Sequence, residues 1–224
     1  MRKIGIGEIL VFVMLFSGIV ALALATTKLM FGSLPLGDFR GVALVTVALL
    51  FIYFYGVIVY RLFMFFMPLG EGEIAEKSKE EFSYHVYLLF YLILFYPIMR
   101  SGIVPVPIMR LVYLALGARL GPNTYSSGII LDPPFVVIGS NSIVGQYALL
   151  VPHVIEGKRL AHHKIQIGNN VTIGAHAVVL AGVSIGDNAI VATGAVVKKG
   201  TQIGSGEVWG GVPARLLQPN RPLN

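Results

Sequence analysis

A repeat with a period of six residues in the C-terminal half most constrains what this chain can fold into. An aliphatic residue recurs at seven consecutive positions of one phase, and a glycine directly follows four of them. A small or β-branched residue lies four positions after most of the aliphatic ones. The aliphatic positions are Ile167, Ile173, Val179, Ile185, Val191, Val197 and Ile203, and an earlier block with the same spacing is Ile138, Val144 and Leu150.

A period of six fits neither an α-helix nor an alternating hairpin, but it is typical of a parallel β-helix in which three short strands make one coil. The aliphatic side chains are expected to fill the narrow interior. The glycines, Gly168 and Gly174 among them, are expected at tight corners with positive φ. Asn169-Asn170 and Asp187-Asn188 are turn residues at the same corners. The predicted fold class is therefore mainly β, with α-helical segments before the coils.

The repeat is interrupted between Leu150 and Ile167, which are 17 positions apart and so out of phase. The sequence predicts a loop over 151–166, and this loop contains three of the five histidines of the chain. Loops held by a rigid scaffold are favoured places for catalysis. Histidine has an ordinary pKa of about 6.5, which suits a general base for acyl transfer at neutral pH.

This pattern resembles the hexapeptide-repeat acyltransferases, which include galactoside, maltose, xenobiotic and serine acetyltransferases. The most specific stretches are the segment 167–174 and Gly211-Val212-Pro213-Ala214-Arg215. The resemblance implies a left-handed β-helix over 120–209, followed by a C-terminal tail over 210–224. It also implies acetyl-CoA as acyl donor and a homotrimer with active sites between subunits.

The resemblance implies that His153 is the catalytic base, because the family's histidine follows the coil that ends near Leu150. Glu156 is a candidate to orient its imidazole. His162 and His163 are alternative bases, or contacts for substrate or diphosphate. Asp132, one coil earlier, is implied as an acceptor contact, since a carboxylate accepts two sugar hydroxyls; a turn-forming Asp-Pro is the other interpretation.

The donor site should be basic, because coenzyme A carries a 3′-phosphate and a diphosphate. Residues 101–224 have 9 Lys/Arg against 4 Asp/Glu, whereas residues 1–100 have 8 against 7. A solvated basic surface would have the same composition. By resemblance to the galactoside enzymes, the donor groove would contact Ala175, Thr193, Lys198, Lys199 and Arg215.

The N-terminal half is apolar enough to enter a membrane. Ile9–Thr27 and Gly41–Tyr60 are uncharged stretches of 19 and 20 residues, and each can cross a hydrocarbon core of about 30 Å. We expect two transmembrane helices over 1–67, although the first stretch also resembles a secretory signal. Over 68–119 we expect a linker and membrane-surface helices, including 86–99, or apolar caps on the following domain.

Composition excludes several classes of protein. The chain has no cysteine, so disulfides and thiolate metal sites are excluded. No histidine pair has the spacing of a zinc-binding hexapeptide enzyme, so we expect no metal. Charged residues make up 12% of the chain and its mean hydropathy is +0.77, which excludes disorder. The chain has no arginine-rich run, so we expect no nucleic-acid partner.

Together these patterns predict a membrane-bound acetyltransferase that acts on a hydroxyl or amine of a membrane-associated glycan or lipid-linked sugar. A longer acyl donor and a non-enzymatic membrane-anchored scaffold are the alternatives. Because acetyl-CoA is cytosolic, the C-terminal domain should lie on the cytoplasmic side of a bacterial inner membrane, in a multi-pass protein that contacts membrane lipids.

Overall fold

A computed structural model describes residues 2–219, which form two compact units. The helical unit consists of Arg2–Leu69 and Ala75–Pro97. The β-helix unit consists of Gly70–Ile74 and the chain from Ile98 on. Of the predicted C-terminal tail, residues 220–224 lie outside the described residues.

Three helices among the described residues are long and apolar enough to cross a membrane, by length and composition: Ile6–Phe31, Gly37–Phe66 and Lys79–Ser101. The first two match the two predicted spans. Their regular α-helical parts are α1 (Ile6–Phe31) and α2 (Arg40–Phe66). The third is α3 (Lys79–Phe90), which continues through a π-helical turn, Tyr91–Phe95, into α4 (Tyr96–Ser101).

The third helix is longer than the sequence indicated for the segment 86–99. It begins at Lys79 because Ser78 caps it, its side chain accepting a hydrogen bond from the backbone N–H of Glu81 at 3.0 Å. Pro97 does not end the helix, since the π-helical turn before it already shifts the backbone hydrogen bonds. This helix is also the most buried of the three: 56% of its most apolar window is buried, against 17% and 11% for the other two.

The β-helix unit opens with α5 (Val106–Leu116), which covers the first coil. Arg110 Nε donates to the carbonyl of Thr124 at 3.0 Å, and the Tyr113 hydroxyl donates to the carbonyl of Gly128 at 2.9 Å. Met109, Tyr113 and Leu116 are buried on one side of α5. This helix therefore acts as an apolar cap on the coils, which was one of the two sequence interpretations.

Short parallel strands stack into three sheets, here called the first, second and third faces. The first face contains β2 (Arg119–Leu120), β5 (Val136–Ile138), β10 (Ile165–Ile167), β13 (Ser184–Ile185) and β16 (Gln202–Ile203). The second contains β3 (Tyr125–Ser126), β6 (Ile143–Val144), β11 (Thr172–Ile173), β14 (Ile190–Val191) and β17 (Val208–Gly211), with the antiparallel β18 (Ala214–Gln218) at its edge. The third contains β4 (Ile129–Ile130), β7 (Leu149–Val151), β12 (Val178–Leu180) and β15 (Val196–Val197).

The register of these sheets confirms the repeat that the sequence predicted. Ile167 pairs with Ile185 and Ile185 with Ile203, so each regular coil contains three repeats. Ile138 pairs with Ile167 across the break, so the coil that contains the break is longer than the others. All seven predicted interior positions are buried, with side chains at most 4% exposed.

The glycines that follow the aliphatic column do not have the positive φ that the sequence predicted. Positive φ occurs instead at other corner residues, among them Asn170, Asn188 and Gly194. Close approach of the neighbouring coil explains the glycines: a Cβ on Gly174 would lie 2.4 Å from the backbone nitrogen of Thr193. The repeat therefore needs glycine for space between coils.

The interruption is a hairpin, although the sequence predicted a loop over 151–166. Strand β8 (His153–Glu156) pairs antiparallel with β9 (Arg159–His162) across a turn at Gly157. A third strand joins them from far earlier in the chain: β1 (Gly72–Glu73) pairs with β9. A single sequence cannot show this pairing, because β1 and β9 share no repeat phase.

We expect Gly174→Ala to lower the thermal unfolding midpoint of the detergent-solubilised protein. The new methyl would meet backbone atoms of the next coil, which cannot rotate away, and overpacking of this kind costs about 1–3 kcal/mol. Gly18→Ala in α1 is the control, because a Cβ there meets nothing within 4 Å. Equal midpoints for Gly174→Ala and the wild type would contradict the packing explanation.

Candidate active site

The corner between the third and first faces brings several predicted site residues into one column. Each coil turns there once: at Leu131–Phe135 in the first, at the hairpin in the second, at Ala181–Val183 in the third and at Lys198–Thr201 in the fourth. Backbone hydrogen bonds join these turns, since Gly182 donates to the carbonyl of His163 and Gly200 donates to that of Ala181. Asp132, His153 and Lys199 therefore share this corner, although they belong to three different coils.

A histidine–aspartate pair forms the centre of this corner. His153 Nδ1 lies 2.5 Å from Asp132 Oδ2, and the side chain of Asp132 is 4% exposed. Since an ionised carboxylate only accepts, the Nδ1–H of His153 is the donor. The other ring nitrogen, Nε2, is then unprotonated in the neutral ring and able to take a proton.

Asp132 makes a contact that the sequence did not predict. The two sequence interpretations were an acceptor contact and a turn-forming Asp-Pro; the structure has the turn and also buries the carboxylate against the His153 ring. Its backbone has φ 42°, an unusual conformation that Asp tolerates better than most residues, and it precedes a short 3₁₀ turn, Pro133–Phe135. Strain of this kind is frequent at functional sites.

The pKa of His153 is raised above its ordinary value of 6.5. Burial acts to lower this pKa, but the hydrogen bond to Asp132 and its negative charge outweigh burial. The ring is thus a stronger base than a free histidine, and its side chain is still 26% exposed. Accessibility and raised basicity together are what a general base requires.

His162 is fully buried beside His153. It pairs with His153 across the hairpin and is 0% exposed. Its ring stacks on Phe135 at 4.4 Å between centroids, with 6° between the planes. Burial lowers its pKa to about 4, so the ring is neutral at pH 7. In this structure, therefore, the side chain of His162 is not exposed for the substrate contact that the sequence predicted.

Glu156 does not orient the imidazole as predicted, because its carboxylate pairs with Lys199 and with Arg159. This exposed carboxylate has a lowered pKa, chiefly through its hydrogen bond to Lys199. His163 is half-buried, and its backbone N–H donates to the carbonyl of Pro152 at 2.9 Å. It lies at the foot of the hairpin, next to His162 and opposite Pro152.

An open groove of about 410 Å³ runs from His153 to Lys199. Four aliphatic side chains, two from the third face and two from the hairpin, line this groove together with the Glu156–Lys199 ion pair. The lining residues are Val151, His153, Val154, Ile155, Glu156, Leu180 and Lys199. An apolar lining beside a base and a cation suits an elongated molecule with a charged end.

The predicted donor residues lie at separate places on the β-helix. Lys198 and Lys199 are at the corner of His153. Ala175 and Thr193 lie at the corner between the second and third faces, at the opposite ends of the third-face strands. Arg215 is exposed on β18, beyond the last coil. One protomer therefore does not gather all five residues around a single groove.

The segment 71–74, which the sequence analysis did not single out, packs along strand β9 of the hairpin. Gly72 pairs with His162, and the backbone N–H of Ile74 donates to the carbonyl of Leu160 at 2.9 Å. Ile74 is 1% exposed. Glu71 pairs with Lys164 at 2.8 Å, and its hydrogen bonds with Lys164 lower the pKa of Glu71.

Within residues 2–219, no group of three or more His, Asp or Glu side chains is arranged to hold a metal ion.

The repeat matches a known family model over part of its length. Residues 164–199 match the model of the bacterial transferase hexapeptide family (six repeats). No curated protein is similar enough in sequence to be matched with this chain.

Solved structures of acetyltransferases are similar to part of the chain. A hexapeptide-repeat acetyltransferase from Vibrio cholerae with bound acetyl-CoA is 26% identical over 47% of this chain and 62% of its own, with a TM-score of 0.43. A galactoside acetyltransferase with coenzyme A is 30% identical over 46% and 55%, with a TM-score of 0.40. A maltose O-acetyltransferase from Clostridium difficile is 21% identical over 78% and 89%, with a TM-score of 0.45. The chain thus spans less than two thirds of the first two proteins.

We expect the stability of the protein to fall as pH drops from 6.5 to 4, because the unfolded state then protonates His162 and the folded state does not. The pKa difference limits this contribution to about 3 kcal/mol. His162→Phe keeps a ring against Phe135 and should make the thermal midpoint depend less on pH over this range. If His162→Phe keeps the pH dependence of the wild type, His162 is not its source.

His153 acts in a different pH range, because its pKa is raised. Its stabilisation is complete below pH 6.5 and is lost as the pH rises through the folded-state pKa.

Proposed function

We propose that this protein is an acyl-CoA-dependent acetyltransferase with His153 as general base. The observation that carries the proposal is the His153–Asp132 pair at the end of an open groove, on a scaffold whose repeat matches the hexapeptide transferase family. The proposal includes the left hand of the coil that the resemblance implies. The acceptor is a hydroxyl or amine of a membrane-associated glycan or lipid-linked sugar.

In the proposed reaction, the acceptor's oxygen or nitrogen attacks the thioester carbonyl of acetyl-CoA while His153 Nε2 takes the acceptor's proton. Asp132 holds the ring by Nδ1 and stabilises the imidazolium that forms. The tetrahedral intermediate then collapses with cleavage of the carbon–sulfur bond. The departing thiolate receives the proton from His153, which returns the base to its neutral state.

The positions of the basic residues support donor binding between two copies of the chain. Lys198 and Lys199 lie at the corner of His153, whereas Ala175 and Thr193 lie at the other end of the third face. In the homotrimer that the resemblance implies, the active sites lie between subunits, so the donor would contact one set on one subunit and the other set on its neighbour. Lys199 would exchange Glu156 for a donor phosphate, which is a stronger partner for an ammonium group.

Covalent connectivity supports an acceptor at the membrane. Five residues, 67–71, separate the last residue of α2 from Gly72, so the chain between them extends at most about 21 Å. Gly72 pairs with His162, which pairs with His153. The proposed base is thus tied by a short linker to a helix that can cross a bilayer. The basic unit would face the cytoplasm, where acetyl-CoA is made.

The direct test is to incubate the purified protein with acetyl-CoA and a membrane lipid extract from its host. Release of free thiol that depends on the extract, together with an acetylated product found by mass spectrometry, is the expected result. A series of acyl-CoA donors of increasing length separates acetyl transfer from transfer of a longer chain. Absence of thiol release with every donor would favour a non-enzymatic scaffold.

His153→Ala should lower turnover about 10²–10⁴-fold, the usual contribution of a positioned general base. Binding of acetyl-CoA, measured by calorimetry, should change little, because the proposed role of the ring is to take the proton of the acceptor and not to hold the donor. Gln166→Ala, an exposed residue on the first face, is the control and should keep wild-type turnover. Activity of His153→Ala within a few-fold of wild type would reject the assignment.

Asp132→Asn should shift the acid limb of kcat/KM to lower pH. The base acts when its ring is neutral, and removal of the carboxylate removes the interactions that raise the pKa of His153. Turnover should also fall on the order of 10²–10⁴-fold, because Asn can hold the wrong tautomer. A pH profile with an unchanged acid limb would mean that Asp132 does not act through His153.

A further inference from the structure

Length and composition do not show whether the helix Lys79–Ser101 crosses the membrane. Its 23 residues could cross a bilayer, which would make three spans with α1 and α2. Three spans would put the two ends of this helix on opposite sides of the membrane. The contacts at its two flanks decide against that arrangement.

The flank before the helix is part of the β-helix unit. Gly72 and Glu73 form a strand on β9, and Ile74 is buried against the hairpin. Two ion pairs, Glu71–Lys164 and Glu73–Arg159, lie alongside this strand. Residues 70–74 therefore lie on whichever side of the membrane holds the hairpin.

The flank after the helix is also part of the β-helix unit. Two residues of α5 are hydrogen-bonded to the first coil: Arg110 to the carbonyls of Thr124 and Gly121, and Tyr113 to that of Gly128. Only a short connection, 102–105, separates Ser101 from α5. Residues 102–116 therefore lie on the same side as the coils.

We propose that Lys79–Ser101 does not cross the membrane but lies in one leaflet, the leaflet that faces the β-helix unit. Because both flanks belong to one folded unit, the chain between them crosses the bilayer an even number of times. One crossing by a helix takes at least about 17 residues, so 23 residues cannot cross twice. The number of crossings between the flanks is zero, and α1 and α2 are the two spans.

Contacts within the helical unit support the placement of this helix in one leaflet. Phe82 lies next to Gly7, and His85 pairs with Glu8 at 3.3 Å, so the start of α3 lies beside the start of α1. Farther along, Phe90 packs edge-on against Phe12 at 5.2 Å. These partners all belong to the first two turns of α1.

The contacts with α2 fall near its end. Tyr60 lies 6.0 Å from the ring of Tyr87 and 5.4 Å from that of Phe95, and Leu94 lies against Gly56. Toward the connection between the two spans, α1 and α2 contact each other, as between Thr26 and Tyr55 at 2.9 Å. The third helix thus contacts the N-terminal part of α1 and the C-terminal part of α2, which lie toward the side of the N-terminus.

Single cysteines test the proposal, because the wild-type chain has none. Glu76→Cys and Ser101→Cys mark the two ends of the helix, and Ser33→Cys marks the connection between α1 and α2; all three positions are exposed. A membrane-impermeant maleimide is applied to intact cells and to permeabilised cells that express each variant. Total cysteine, measured after denaturation, corrects for expression.

The expected result is that Glu76→Cys and Ser101→Cys behave alike and Ser33→Cys behaves oppositely. With the β-helix unit in the cytoplasm, Glu76→Cys and Ser101→Cys are not labelled in intact cells and are labelled after permeabilisation. Opposite behaviour of Glu76→Cys and Ser101→Cys would show a third crossing and overturn the proposal. The readout needs no enzymatic activity, so it stands or falls separately from the proposed function.

Discussion

Each coil of the β-helix is stacked on the next with equivalent repeat positions paired, and the positions of the other groups follow from this stacking. Parallel coils are about 4.8 Å apart, so residues in successive turns of one corner become neighbours. This distance leaves room for a glycine but not for a Cβ where the backbones approach, as at Gly174 and Thr193. Burial of the interior column stabilises the register, because a shift would expose aliphatic side chains to solvent.

The chemistry of the corner depends on two departures from this regularity. An insertion in the second coil forms the hairpin that begins with His153. One coil earlier, Asp132 adopts positive φ before a 3₁₀ turn, which brings its carboxylate to the imidazole. Helix α5 on one side and the regular third and fourth coils on the other hold these irregular segments, so a strained residue and an inserted hairpin are kept in a fixed relation.

The β-helix, its interior column and the place of the insertion could be predicted, because each is a property of a local period. The resemblance led to the prediction that His153 is the base, but not to that of its pairing with Asp132. From the resemblance, Asp132 was expected to contact an acceptor, with a turn-forming Asp-Pro as the other interpretation, and Glu156 was the candidate to orient the ring. In the structure the carboxylate beside the ring is that of Asp132, because adjacent coils bring residues 21 positions apart together, whereas Glu156 pairs with Lys199. The strand at Gly72 could not be predicted either, since so short a strand carries no periodicity.

Burial and strand pairing are the main interactions that hold the segment 70–74 on strand β9. Its ion pairs, Glu71–Lys164 and Glu73–Arg159, have side chains 42–65% exposed, and such pairs contribute about 0–1 kcal/mol each. Ile74 is 1% exposed, and full burial of such a side chain contributes about 1.5–3 kcal/mol. Backbone hydrogen bonds to β9 add to this, while the charges mainly fix the register of the strand. The same short segment therefore both positions the hairpin of His153 and fixes the chain before the helix Lys79–Ser101.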